Sequence, residues 1–304
     1  MTYPEQYDRY LGMVETTLER LLPQTQEACP AQGGIPAHLC EAMRYSLMAG
    51  GKRVRPVLLL AACEMLGGAL EQALVPAAAL EMIHTYSLIH DDLPGMDDDT
   101  MRRGRPTNHV VFGVGQAILA GDGLLNAAFE LMLKRALEKP ELAQRSLRAI
   151  YEIATGAGVT GMIAGQVLDL YCEHNAVMDE HALSYIHRDK TACMFIYPLR
   201  AAGALAGATQ EQIDALGRYG EDFGRVFQAT DDLLDVLGDA AEMGKTLGKD
   251  AEQGKLTVVS LHGVEGARAQ VRMLLERAMT ELDSFGSGAQ FLRDLIASMV
   301  DRTK

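Results

Sequence analysis

An all-α protein of ten or more helices is predicted, and three observations predict it. Apolar residues recur at helical spacing through most of the 304 residues. The segments with that spacing are separated by Gly, Pro or polar clusters, which stop helices. Strand-like runs are confined to "HVVFGV" and "LTVVSL", brief and isolated, so a sheet is improbable.

In chain order, "AHLCEAMRYSLMAG" places Leu39, Met43 and Leu47 on one stripe and stops at Gly50-Gly51. "RPVLLLAACEMLGG" opens with Pro56 near a helix entrance and ends on a second Gly pair. "LVPAAALEMIHTYSLIHDD" is a long apolar helix that must end near Pro94. Helical patterning continues over 114–137, 141–173, 179–206, 210–237, 267–282 and 288–302. Several of these segments are apolar nearly all round, as a central buried helix or an oligomer interface requires. No linker, low-complexity segment or short-period repeat divides the chain, so 1–304 is expected to be a single domain.

Composition narrows the function classes. With 48% hydrophobic and 23% charged residues, the chain can bury a core and is not a disordered type. A net charge of −13 argues against nonspecific nucleic-acid binding, which needs a basic face. The five cysteines, Cys29, Cys40, Cys63, Cys172 and Cys193, have neither zinc-site nor disulfide-framework spacing. The longest apolar run, Val57 to Cys63, is far too short to span a bilayer. The N-terminus has early charges and no apolar signal core. A cytoplasmic protein without membrane insertion is expected.

Two acidic runs stand out: Asp91, Asp92 and Asp97, and Asp231, Asp232 and Asp235. Asp231 and Asp235 are four apart and share a helical face. Such like-charge pairs weaken a helix by roughly 0.2–0.5 kcal/mol unless something compensates. Mg²⁺ is a natural compensator, because it takes one or two carboxylates and completes its shell with water and phosphate oxygens. Pro94-Gly95 allows the chain to bend and return Asp97 toward the same point. Alone, either run is an ordinary solvated or capping feature. Together, "SLIHDD" and "VFQATDD" each put an acid pair at the end of an apolar helix, which suggests two carboxylate sets facing each other at one mouth of a bundle.

Basic residues flank these helices. "GGKRVRP" supplies Lys52, Arg53 and Arg55, and "MRRGRP" supplies Arg102, Arg103 and Arg105. "HRDKTA" offers Lys190 and Thr191, and "GKTLGKDAEQGK" offers Lys245, Lys249 and Lys255. Arginine matches phosphate in a planar, bidentate way; lysine acts as a point charge. Two metal-binding walls with separate basic patches could hold two polyphosphorylated ligands.

Seven segments, "GGKRVRP", "IHDDLPGMDDDTMRRGRPT", "GDGLL", "GMIAGQVLDL", "HRDKTA", "FQATDDLLDV" and "GKTLGKDAEQGKLT", resemble in order and spacing those of the trans-isoprenyl diphosphate synthases. The resemblance runs from about residue 36 to residue 263. It is particularly to the bacterial short-chain farnesyl diphosphate synthases, whose first acidic motif has the form DDxxxxD. It implies the isoprenoid synthase fold around a deep apolar cavity, a homodimer and about three Mg²⁺ ions per site. It implies metal binding by Asp91, Asp92 and Asp97 from one wall and by Asp231, Asp232 and Asp235 from the other. Arg102, Lys190, Thr191, Gln228 and Lys245 would surround an allylic diphosphate, with Lys255 in support. Lys52, Arg55, His84 and Arg103 would hold isopentenyl diphosphate, and Gln166 and Asp169 would order metal-bound water. His84 alone reads as an ordinary core histidine, but it lies two turns before Asp91 and so faces the same cavity.

The implied reaction is ionisation of the allylic diphosphate, attack by the isopentenyl double bond and loss of a proton. Asp91, Asp92, Asp97, Asp231, Asp232, Lys190 and Lys245 would serve it, and no Ser–His–Asp arrangement is called for. Tyr86 lies about 7.5 Å back along the helix from Asp91, where its ring can block a growing tail; the neighbouring Ser87 is too small to do so. A farnesyl product is therefore expected, with a packed, non-blocking Tyr86 as the plain alternative. Geranyl or geranylgeranyl diphosphate synthase is the rival within the class. A terpene cyclase would lack the patch at Lys52 and Arg55, and a non-catalytic partner subunit would lose an acidic motif. Two departures from the family pattern, Ala192-Cys193 after Thr191 and "LTVVS" with Val258 after Lys255, bear on substrate fit and remove no charged ligand.

Overall fold

The computed structural model describes residues 1–22, 34–237 and 255–300. Its first helices are α1 (Tyr3–Leu21), α2 (Ala37–Leu47), α3 (Val54–Met65) and α4 (Leu70–Asp91). A ribbon of β1 (Met101–Arg102) and β2 (Arg105–Pro106) follows, then α5 (Asn108–Phe112), α6 (Val114–Glu138), α7 (Ala143–Ala157) and α8 (Met162–Asn175). The remainder is α9 (Glu180–Ile186), a π-helical segment (His187–Ala192), α10 (Cys193–Ala206), α11 (Gln210–Leu237), α12 (Val258–Glu281) and α13 (Gln290–Val300). The all-α expectation holds; the two-residue ribbon is the only strand pairing among the described residues.

α4 is the axis of the bundle. It is buried on every side over most of its length, and it packs against α1, α2, α3, α6, α7 and α10. Ala77, Ala78 and Ala79 are fully buried and let neighbouring helices approach closely. α10 is the second buried helix, packed on α3, α7 and α11. Each large aliphatic side chain fully buried along these two helices contributes about 1.5–3 kcal/mol of transfer free energy. The helix from 74 stops at Asp91, just ahead of Pro94 as expected.

Three boundaries differ from the sequence expectation. The stretch 141–173 is two helices: Gly158 (φ −87°, ψ −165°) and Gly161 (φ −134°, ψ −125°) leave helical space between α7 and α8. The same break divides the one stretch among the described residues, 140–175, that is apolar and long enough by composition to cross a membrane. Its pieces of 15 and 14 residues fall short of the roughly 20 that a bilayer requires. The helix expected from 267 is preceded by a short one that begins at Val258, and Gly263 (φ 68°, ψ 175°) breaks α12 between the two. Thr257 Oγ1 accepts from the Ser260 N–H, and Ser260 Oγ accepts from the Thr257 N–H, a reciprocal cap that turns the strand-like "LTVVSL" into a helix start. "HVVFGV" likewise holds α5. No helix was expected before residue 37, yet α1 is capped by Thr2 and Glu5.

The stretch 179–206 is helical throughout but passes through the π segment, a feature frequent at functional sites. Two glycines clamp it. A Cβ on Gly165 of α8 would lie 2.0 Å from the Lys190 backbone nitrogen, and one on Gly224 of α11 would lie 2.4 Å from the Ala192 Cα. The methyl of Ala192 is accommodated by Gly224 opposite, where an added Cβ would lie 2.6 Å from it. Gly165→Ala is expected to destabilise the protein by about 1–3 kcal/mol, since backbone and not a flexible side chain would have to move. Thermal unfolding measures this, and a wild-type melting temperature would reject the clamp.

None of the described cysteines forms a disulfide. Cys29, Lys245 and Lys249 lie outside the described residues.

Candidate active site

The last turn of α4 builds the first wall. Asp97 is returned as the Pro94-Gly95 bend predicts, its N–H donating to the Asp91 carbonyl at 2.9 Å. Burial pushes the Asp91 carboxyl up to about 6; Lys190 opposes that shift and Asp97 adds to it. Asp92 differs from its neighbour. It is 3% exposed and is gripped by Arg102, with Nε 2.8 and 3.0 Å from its two oxygens and Nη2 at 2.7 Å. The ribbon holds Arg102 there, because Arg103 (φ 52°) and Gly104 (φ 72°) turn the chain with positive φ at both central positions.

The end of α11 builds the second wall. Thr191 Oγ1 donates to Gln228 Oε1 at 2.7 Å, and Gln228 Nε2 donates to Asp232 Oδ1 at 2.9 Å. Asp232 Oδ2 accepts the Val258 N–H at 3.0 Å and lies 3.6 Å from His187 Nε2. Asp232 thus joins α11, the π segment and the start of α12. The Val258 departure costs nothing here, because the donor is backbone. Asp235 Oδ2 is buried and has no partner among the described residues.

Between the walls lies a cavity of about 390 Å³. Its apolar surface includes Tyr86, Met162, Val167, Leu170 and Met194, and its polar rim includes Arg55, His84, Asp91, Gln166, Lys190 and Thr191. An adjoining recess of about 100 Å³ shares Lys190 and Thr191 and adds Asp169, Gln228, Asp232 and Lys255. Lys190 Nζ donates to Asp169 at 2.5 Å. Burial would lower its pKa, but Asp169 and Asp91 outweigh that and raise it, so it stays cationic. Lys255 reaches Asp97 at 3.4 Å. The two acidic runs, far apart in sequence, therefore meet around Lys190 and Lys255.

Arg55 is the most unusual cation. Its guanidinium lies 4.5 Å from the Phe195 ring centroid and 5.7 Å from that of Phe227. Burial lowers its pKa to about 10, and its Nε has no partner among the described residues. His84 Nε2 lies 3.4 Å from Arg55 Nη1. Burial first, and then the arginines, hold His84 well below the usual imidazole range. It is neutral at pH 7, and toward Arg55 its Nε2 can only accept. Gln166 Nε2 is also buried on the cavity rim, without a partner among the described residues. Buried unsatisfied donors on Arg55 and Gln166, aimed at one cavity, describe a site shaped for an anion.

Arg103 donates to the Gly50 carbonyl, and Lys52 lies exposed on the same Gly50–Arg53 loop. The structure places Arg55, His84, Tyr86, Ser87, Asp91, Gln166, Lys190 and Thr191 on the cavity and Asp169, Gln228, Asp232 and Lys255 on the recess, whereas Lys52, Asp231 and Asp235 line neither space. The sequence reading missed Phe195, Phe227, His187 and the methionines of the cavity wall. Phe227 adjoins Gln228 in sequence, but nothing in the sequence says that its ring lies under Arg55.

Among the described residues no three acidic, histidine or cysteine side chains converge tightly enough to cage a metal. Mg²⁺ does not ask for that; it takes one or two carboxylates and lets phosphate oxygens supply the rest. Asp91, Asp97 and the orphaned Asp235 oxygen fit such a substrate-bridging role.

The comparisons agree with this geometry. The model of the family described as "Polyprenyl synthetase" matches residues 36–287. A dimethylallyltranstransferase of Fischerella ambigua is 44% identical over 300 residues, covering 97% of this chain and 86% of its own. A geranylgeranyl diphosphate synthase of Cyanophora paradoxa is 40% identical, covering 91% and 89%. The crystal structure of an FPP/GFPP synthase from Zymomonas mobilis superposes with a TM-score of 0.85 at 33% identity, covering 98% of this chain and all of the other. With the fold, the paired acidic walls and the apolar cavity in agreement, the chain belongs to the polyprenyl synthetase family, the trans-isoprenyl diphosphate synthases, and is a prenyltransferase.

Proposed function

We propose that the chain condenses isopentenyl diphosphate with dimethylallyl and then geranyl diphosphate to give farnesyl diphosphate, as a Mg²⁺-dependent homodimer in the cytoplasm. The observation that carries the farnesyl reading is Tyr86, an aromatic ring in the wall of the apolar cavity just behind Asp91.

Asp91, Asp97, Asp231 and Asp235 would hold Mg²⁺. When bound, the cation supplies charge stabilisation for the departing diphosphate. Lys190, Thr191, Gln228 and Lys255 orient that diphosphate, and Lys245, outside the described residues, completes the set. Asp92 fixes Arg102 toward it. Asp232 locks the π segment and the start of α12, and so fixes Lys190 and Lys255. Arg55, His84, Lys52 and Arg103 bind isopentenyl diphosphate; the neutral His84 can accept from Arg55 without adding to the positive charge there. Gln166 and Asp169 orient water between the groups. The buried part of the apolar wall, Tyr86, Met162 and Met194, excludes water that would quench an allylic cation. The diphosphate itself takes the proton; among the described residues no side chain is posed as a dedicated base.

Homodimerisation is supported by α8, which leaves Ile163, Val167 and Tyr171 exposed at four-residue spacing. A geranylgeranyl product is the second reading, favoured by the names of several relatives. Incubation with isopentenyl diphosphate, each allylic diphosphate and Mg²⁺, followed by mass analysis of the dephosphorylated products, tests both. Farnesol as the end product supports the first reading and geranylgeraniol the second; no prenyl product rejects both.

The raised Asp91 pKa predicts a pH window. The ionised carboxylate binds the cation, so protons compete as pH falls through about 6. The gain in melting temperature produced by Mg²⁺ with inorganic pyrophosphate should be larger at about pH 7.5 than at about pH 5.5. An equal gain at both would remove Asp91 from the metal set.

A further inference from the structure

Residues 1–35 precede the match to the family model, yet α1 is bonded to the loop that carries Lys52. We infer that α1, through Tyr7 and Glu15, positions the isopentenyl diphosphate site, with Arg53 as the pin. This rests on the proposed function and extends the isopentenyl site to a part of the chain beyond the family match.

Arg53 lies between two proposed diphosphate ligands, one residue after Lys52 and two before Arg55. It is itself no ligand, because its side chain is fully buried and committed. Nε donates to Glu15 of α1 at 2.8 Å, Nη1 to Glu81 of α4 at 2.7 Å and Nη2 to the Leu47 carbonyl at 2.6 Å. Tyr7 of α1 donates its hydroxyl to the Lys52 carbonyl. On the far side Arg103 donates to the Gly50 carbonyl. The Gly50–Arg53 loop is thereby held from α1, α4 and the ribbon at once.

The backbone says why so many ties are used. Arg53 is left-handed, at φ 46° and ψ 38°, a conformation that a non-glycine residue keeps only when its surroundings over-determine it. That conformation starts α3 and so sets the direction of Arg55. Four cations, Lys52, Arg53, Arg55 and Arg103, crowd this loop and ribbon, and Glu15 and Glu81 are the carboxylates bonded to the central one. Neutralising Glu15 leaves Arg53 with one charged partner, and the strained backbone gains room to relax. Small displacements of anion-binding groups cost binding steeply. The allylic-side residues Lys190, Thr191 and Gln228 belong to the π segment and α11, whereas α1 packs chiefly on α3, α4 and α13.

Steady-state kinetics with the full chain tests this, with KM measured separately for isopentenyl diphosphate and for geranyl diphosphate. Glu15→Gln and Tyr7→Phe should each raise the isopentenyl KM about three- to tenfold. The geranyl KM and kcat should stay within about twofold of wild type. Arg9→Gln is the control, since Arg9 ties α1 to Glu64 of α3 without touching the loop. It should lower the melting temperature and leave the isopentenyl KM alone. An unchanged isopentenyl KM in both loop variants, a parallel rise of both KM values, or an equal rise in Arg9→Gln overturns the inference. A wild-type protein that does not consume isopentenyl diphosphate overturns the functional reading instead.

Discussion

Asp91→Asn and Asp231→Asn each lower kcat by roughly 10²–10³-fold, the scale seen when one preorganised electrostatic contact to a developing charge is removed. For Asp91→Asn the fold is kept. Burial already disfavours the Asp91 carboxylate, as its upward shift to about 6 records. The folded pKa lies above the unfolded one, so at pH 7 the ionised group costs stability. An isosteric amide removes that cost, and the melting temperature without metal holds or rises. Asp92→Asn separates the two roles. It breaks the bidentate grip of Arg102 on a buried carboxylate, so activity and melting temperature both fall. Activity at pH 7 and thermal unfolding of the three variants decide the matter. Near-wild-type turnover in Asp91→Asn or Asp231→Asn would remove that wall from the site.

Asp91 and Asp92 also mark what the sequence conveys and what it does not. Both acidic runs, their positions at helix ends and the return of Asp97 were legible, because helix periodicity and the Pro94-Gly95 break dictate them. The division of labour within each run was not. Six aspartates look alike as letters, whereas Asp92 is committed to Arg102 and Asp232 to the Val258 N–H, and Asp235 keeps a bare oxygen. Those differences arise from segments 10 or 26 residues away, beyond any local pattern. The break at 158–161 was signalled by Gly156, Gly158 and Gly161 but overlooked because apolar periodicity runs up to it on both sides. The π segment was hidden because no local pattern marks it; its close contacts with Gly165 and Gly224 come from two other helices. α1 was legible in principle, since Thr2, Pro4 and Glu5 form a helix start. Its bonds to Arg53 were not, because they depend on which face of α1 meets α3.

Tyr86→Ala is expected to shift the main product to longer chains. The ring lies in the cavity wall and is 7% exposed. It is held in place by His90, whose ring meets it edge-on at 5.7 Å and 88°. His90 is fixed in turn: Nε2 lies 3.0 Å from the Ile118 carbonyl, and a Cβ on Gly121 would come within 2.1 Å of it. Ser87 leaves the adjacent space open, because its hydroxyl turns back to the His84 carbonyl at 2.9 Å. A blocking ring backed by a wedged imidazole is a rigid stop, so removing it lengthens the cavity without inviting collapse. The stability cost should stay below the roughly 3–5 kcal/mol of a ring lost from a closed core, since one face already borders empty volume. Mass analysis of dephosphorylated products from wild type and variant reads the effect directly. If the two product distributions coincide, Tyr86 packs the wall without limiting length, and the stop lies elsewhere in the cavity lining.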